Sequence, residues 1–114
     1  MEISFVARKL EKAFQEGRSL QMLHGERRAR LIQRRMQALR AANNLGDFWP
    51  PFSGPERCHE LTGDRAGQLS MDLDHPYRLI FTPDHDPHPK RVEGGLDWHQ
   101  VTAIKILGVE DTHD

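Results

Sequence analysis

Between Arg57 and Phe81 the chain reads RCHELTGDRAGQLSMDLDHPYRLIF, placing a histidine and several arginines on a stretch of alternating, strand-like residues. His59 can move a proton near neutral pH. Arg65 and Arg78 keep their charge at any physiological pH, and their planar forks match two phosphate oxygens at once. Cutting RNA without a metal requires a proton drawn from the ribose 2′-OH, a proton given to the leaving 5′-oxygen, and positive charge on the developing phosphorane. Histidine suits the proton transfers and arginine the charge. Near the C-terminus Asp111 and His113 stand two apart, so on a continuing strand they face the same side, where the carboxylate orients or charges an imidazole. Each also has a plainer reading: a hydrogen-bonded, inert strand histidine, and a frayed chain end.

The elements that must position these residues are legible from periodicity. Residues 2–6 read as a first strand and Ala7 to Glu16 as a helix, with Gly17 and Gly25 punctuating the helical region. From about Glu26 to Ala42, Ala29, Ile32, Met36 and Leu39 share one helical face while Arg27, Arg30 and Arg34 line the opposite one. The prolines of DFWPPFSGP make that stretch a loop. CHEL, then Leu69, Met71 and Leu73, then Tyr77, Leu79 and Phe81 predict three strands joined by TGDRAG and DHP. Thr82 to Trp98 has no period and predicts a long exposed loop, followed by a last strand from Val101 to about Asp111. In that strand Ile104 and Ile106 share one phase and Leu107 and Val109 the other, so a bulge is expected near Gly108.

At 114 residues the chain is expected to form a single domain with one modest core. With 37% hydrophobic and 29% charged residues, and neither a transmembrane run nor a signal peptide, it reads as a soluble, cytoplasmic protein. The lone Cys58 excludes an internal disulfide and reads as a buried strand thiol. The net charge of −1 conceals an asymmetry: residues 18–40 carry seven arginines and one glutamate, whereas the segment beyond them is acidic. A nucleic-acid binder needs only such a local positive footprint, which makes Arg27, Arg30 and Arg34 candidate contacts to RNA phosphates, although such a stripe also serves as a solvated face. Asp84, His85, Asp86 and His88 are all possible metal ligands, but a Pro-broken loop seldom fixes ligand geometry, and no metal or other cofactor is expected.

Taken together, HELTGDR, DLDHPYRLIF and the tail GVEDTHD resemble the HigB-like killer toxins of bacterial type II toxin–antitoxin systems, within the RelE/ParE superfamily. The resemblance runs over nearly the whole chain. The elements themselves read as an α+β domain with two N-terminal helices packed on a twisted, mainly antiparallel sheet. The resemblance implies that His59, Arg78, Asp111 and His113 converge on one site with Arg65 at its edge. The activity implied is that of an endoribonuclease cutting mRNA on the translating ribosome, and the partner implied is a helix-turn-helix antitoxin. Thr112 stands where many relatives have tyrosine, and residues 83–98 make a longer loop than many possess.

Two rivals use the same scaffold. One is a non-enzymatic poison like the ParE-type toxins that target DNA gyrase, and the other a degenerate toxin kept as an antitoxin-binding corepressor. Two titratable histidines have no evident use in gyrase binding, which favours RNA cleavage.

Overall fold

In the computed structural model, which describes residues 1–111, the arginine-rich half of the chain forms three helices where two were expected. They are α1 (Arg8–Gln15), α2 (Gly17–His24) and α3 (Glu26–Ala41). The additional one, α2, is too short to hold its shape alone; it packs along α3 and buries Leu20. Local sequence offers little sign of a helix that exists chiefly through its neighbour. The strands are β1 (Glu2–Phe5), β2 (His59–Glu60), β3 (Leu69–Asp72), β4 (Tyr77–Pro83) and β5 (Ala103–Asp111). They form one sheet in the order β1-β5-β4-β3-β2, antiparallel except where β1 runs parallel to β5. This is an α+β fold.

The alternating residues Leu69 and Met71, Leu79 and Phe81, and Ile104 and Ile106 point to one side and bury against Ala29, Ile32, Met36 and Leu39 of α3. That face of the sheet is therefore sealed by helices. Towards β2 a covering segment continues it: Trp98 is 1% exposed, stands edge-to-face with Trp49 at 5.2 Å, and donates its indole N–H to Glu60 at 3.2 Å. The segment after β4 is thus only partly the open loop its composition suggested. A bridge from Lys90 to Leu96 and a 3-10 turn over Trp98–Gln100 fold it back onto the body. No helix of the described residues is long and apolar enough to cross a membrane.

One arginine of α3 turns from the exposed stripe and fastens the helix to the far end of the sheet. Arg28 donates to both carboxylate oxygens of Asp74 (2.9 and 3.1 Å) and lies 3.4 Å over the Tyr77 ring. The guanidinium holds the Asp74 carboxyl below its ordinary range. A carboxylate whose pKa is depressed by folding adds stability above its unfolded value, near 4, and that stability is lost as pH falls through the folded value. Asp74→Asn is therefore expected to be about 1–3 kcal/mol less stable than the wild type near pH 7, a typical loss for a hydrogen bond to a charged group. The gap should shrink as pH falls below about 4. Urea unfolding across that range tests the linkage, and a gap that held constant down to about pH 2 would sink it.

Candidate active site

A single extra residue in β5 decides which side chains share the face of the sheet opposite the helices. Ile80 pairs with Gly108 but Phe81 with Ile106, so Leu107 bulges out where the two phases of the sequence meet. Gly108 has φ +149°, a conformation side chains rarely adopt. Beyond the bulge the alternation is reversed. Val109 turns to the core, and Glu110 joins Arg78 and Asp72 in one row across β5, β4 and β3. The next row holds Gly108, Ile80, Ser70 and His59.

His59 is fixed on three sides. Its Nδ1 lies 2.8 Å from the Arg57 carbonyl; a carbonyl only accepts, so Nδ1 carries a proton. In the neutral ring Nε2 then offers its lone pair, with the Ser70 hydroxyl at 3.4 Å. The ring stacks on Phe52 at 4.0 Å and 19°. Phe52 and Arg57 both adopt positive φ, +67° and +45°, which is uncommon for side chains this large and clusters at sites whose geometry is held by the surrounding fold. With Nδ1 committed to the Arg57 carbonyl, Nε2 is the ring's only possible proton acceptor, and in this buried side chain the Ser70 hydroxyl holds that position until a 2′-OH replaces it.

Positive charge surrounds it. Arg57 pairs with Asp72 at 3.2 Å and stands 5.0 Å from the centre of the Phe52 ring. Arg78 approaches the other oxygen of Asp72 at 3.5 Å, and that buried oxygen has no hydrogen bond. Arg65, in the 3-10 turn Gly63–Arg65, pairs with Glu110 and donates to Gln68 at 3.2 Å. Three guanidiniums thus share two carboxylates, leaving an excess of positive charge for a phosphate. From the core side, buried Arg35 donates to the backbone carbonyls of Asp72 (2.8 Å) and Pro55 (3.3 Å), holding the strand end that carries Asp72. Burial pushes the Arg35 pKa down, with Glu56 and Asp72 opposing.

Among the residues expected to converge, His59, Arg65 and Arg78 lie on this face. Asp111 does not share their row. It pairs with Tyr77, in line with Leu79 and Val109, because the bulge carries odd-numbered residues to the helix-bearing side. His113 lies outside the described residues, as do Thr112 and Asp114. Arg27, Arg30 and Arg34 are exposed on α3, with the helix between them and the sheet, so they occupy the opposite side of the molecule from His59. Arg30 pairs with Glu26 at 3.4 Å.

Sequence reading missed Phe52, Arg57, Ser70, Asp72 and Glu110. Ser70 and Asp72 are implied by the alternation of Leu69, Met71 and Leu73, which leaves the even positions for the other face. Phe52 comes from a loop whose path no periodicity describes. In the loop after β4, Asp84 accepts from Ser4 (3.2 Å) and His85 Nε2 accepts from the Thr102 backbone N–H (3.1 Å). Among the described residues no group of three His, Cys, Asp or Glu is gathered to hold a metal. Cys58 is buried, and burial raises its thiol pKa far beyond the reactive range.

No family model matches the sequence. No curated protein matches it either. Solved structures do. A YoeB/ParE toxin from Agrobacterium tumefaciens superposes with a TM-score of 0.57 at 12% identity, covering 99% of this chain and 100% of that one. The YoeB dimer from Staphylococcus aureus does so with a TM-score of 0.54 at 14% identity, over 99% of this chain and 98% of that one. A YoeB–YefM complex from the same organism gives the same values. The chain therefore has the fold of the YoeB/ParE toxins, helices on one face of a five-stranded, mostly antiparallel sheet.

Proposed function

We propose that this chain is the toxin of a type II toxin–antitoxin system and acts as a ribosome-dependent mRNA endoribonuclease of HigB type, working in the cytoplasm. The observation that carries the reading is the His59 imidazole, held by the Arg57 carbonyl so that Nε2 faces the Ser70 hydroxyl, beside a group of guanidiniums in which Arg57 and Arg78 meet Asp72 and Arg65 meets Glu110. His59 draws the proton from the 2′-OH, and the guanidiniums neutralise the phosphorane by exchanging their carboxylate partners for phosphate oxygens. His113 is the proposed donor to the leaving 5′-oxygen, with Arg65 supporting the site from its edge. The toxin fold of the similar structures supports the class, and the YoeB–YefM complex among them supports a protein antitoxin, here of the helix-turn-helix kind.

The test is expression in bacteria with mRNA 5′ ends mapped and DNA breaks measured in parallel. Message cuts at codon-linked positions support the enzyme. Broken DNA with intact message would move the reading to a gyrase poison. Because side chains supply the proton transfers and the charge, products should end in a 2′,3′-cyclic or 3′-phosphate opposite a 5′-hydroxyl. Cleavage should also persist in a chelator when assayed on a pre-bound ribosome–message complex, or with high protein on short RNA, so that the ribosome's own Mg²⁺ need is kept apart, and rescue by Zn²⁺ or Mn²⁺ after loss in chelator would overturn this mechanism.

The stripe on α3 extends the reading to the ribosome. A protein that meets message with its sheet face needs a second charged face towards rRNA, and Arg27, Arg30 and Arg34 supply one. The triple variant Arg27→Glu, Arg30→Glu and Arg34→Glu should weaken ribosome association, most at low salt. Its salt dependence should flatten by about 0.7–0.9 in log–log slope for each phosphate no longer neutralised. The three side chains are exposed, so stability should change little. Co-sedimentation at several salt concentrations measures the effect, and unchanged binding would make the stripe a solvated face.

A further inference from the structure

Around the β2 edge from His59 lies a second cavity that the catalytic reading does not use. It encloses about 190 Å³ and is lined by Trp49, Arg91, Leu96, Asp97, Trp98 and His99. That is below the roughly 300–1,000 Å³ of a pocket for a drug-sized ligand, and suits a single ring system. Trp49 is 43% exposed, backed edge-to-face by buried Trp98, with the Arg91 guanidinium 5.7 Å from its ring centre. The His99 ring lies directly on Gly46: a Cβ there would stand 2.5 Å from His99 Cδ2, so the close approach requires glycine. Asp97 accepts from the His99 backbone N–H (3.2 Å) and from Gln100 Nε2 (2.7 Å), which leaves both carboxylate oxygens able to accept again.

An aromatic face beside a guanidinium is the arrangement on which nucleobases stack, and an acceptor-only carboxylate reads base amino groups while repelling phosphate. The cavity lies on the helix-bearing side of the β2 edge, where Trp98 donates to Glu60, and it reaches the His59 face round that edge through Trp49, three residues from Phe52 and so at most about 11 Å from it along the chain. We propose that the cavity is a nucleobase subsite. It stacks on Trp49 one base of single-stranded RNA next to the phosphodiester at His59, with Asp97 accepting from that base's exocyclic amino group. This rests on the sheet face being the RNA-cleaving site.

The test separates binding from cleavage. In full-length His59→Ala protein, slowed by about 10²- to 10⁴-fold, anisotropy of a short fluorescein-labelled single-stranded RNA reports affinity, and steady-state cleavage of ribosome-bound message is followed in parallel with His59 intact. Trp49→Ala should weaken binding by about 5- to 100-fold, and Trp49→Phe, which keeps a stacking face, much less. Cleavage by the Trp49→Ala protein should show a raised KM at nearly unchanged kcat. Arg91→Ala, on an exposed side chain, should also weaken binding and keeps the proposal testable if Trp49→Ala fails to fold. Asp97→Asn should narrow the preference for adenine, guanine or cytosine over uracil in the probe. RNA binding unaffected by both Trp49→Ala, if it folds, and Arg91→Ala, beside normal cleavage, overturns the subsite and leaves the enzyme standing. Trp49-dependent binding without any cleavage overturns the enzyme and supports the subsite. Failure of every form to bind RNA overturns the subsite, and the absence of cleavage of ribosome-bound message as well overturns both.

Discussion

The His59→Ala protein is expected to cleave RNA about 10²- to 10⁴-fold more slowly than the wild type, the usual cost of losing a general base. The ring is placed for that role by the Arg57 carbonyl, the Ser70 hydroxyl and the Phe52 face, and it is buried on the side of the sheet away from the helices. Alanine removes the imidazole but leaves the β2–β3 pairing intact, so the denaturation midpoint should move only modestly. A Gln variant at the same position can restore a hydrogen bond to the Arg57 carbonyl but cannot take up a proton. It should therefore recover stability without recovering rate. Full activity in correctly folded His59→Ala would remove the residue from the chemistry and leave it a packing histidine.

Arg78→Ala should lower cleavage by about 10²- to 10³-fold, the scale on which losing one preorganised charge partner of the transition state is felt. Arg78 faces the side of β4 away from the helices, opposite both Asp72 and Glu110, so it is central to the charged row. Lysine at this position keeps the charge but not the two-oxygen fork, and Arg78→Lys should fall between alanine and wild type. Removing Arg78 also takes away the cation beside the buried oxygen of Asp72, so stability must be measured beside rate. The double variant Arg78→Ala with Asp72→Asn relieves that unpaired charge. If stability returned and rate did as well, the arginine would be structural rather than catalytic.

The residues themselves carried the fold class, the sheet-facing side of α3, the alternating strands β3 and β4 and the candidates His59, Arg65 and Arg78. These are local patterns. A period of about 3.6 or of about 2 follows from which side of an element is buried, and it survives in the sequence however the elements are later arranged. The motifs around His59 and Arg78 were equally local. Even the bulge was visible, as two phases of apolar residues meeting before Gly108.

What only the tertiary structure decided was register and path. The bulge at Leu107 sends Glu110 to the face of His59 and Asp111 to the other, because one extra residue reverses every later side chain. That reversal was present in the apolar phases but could not be assigned to a face until β5 was paired with β4. Phe52 and Arg57 reach His59 through left-handed backbone conformations that composition does not encode, since the surrounding contacts rather than local preference hold them. The same is true of α2, made by packing on α3, and of Arg28 and Arg35. Sequence places those two in one arginine-rich helix with Arg27, Arg30 and Arg34. Only their meeting with Asp74 and with the Asp72 carbonyl turns them from a charged stripe into anchors of the site, because a side chain's partner across the fold is set by packing and not by its neighbours in the chain.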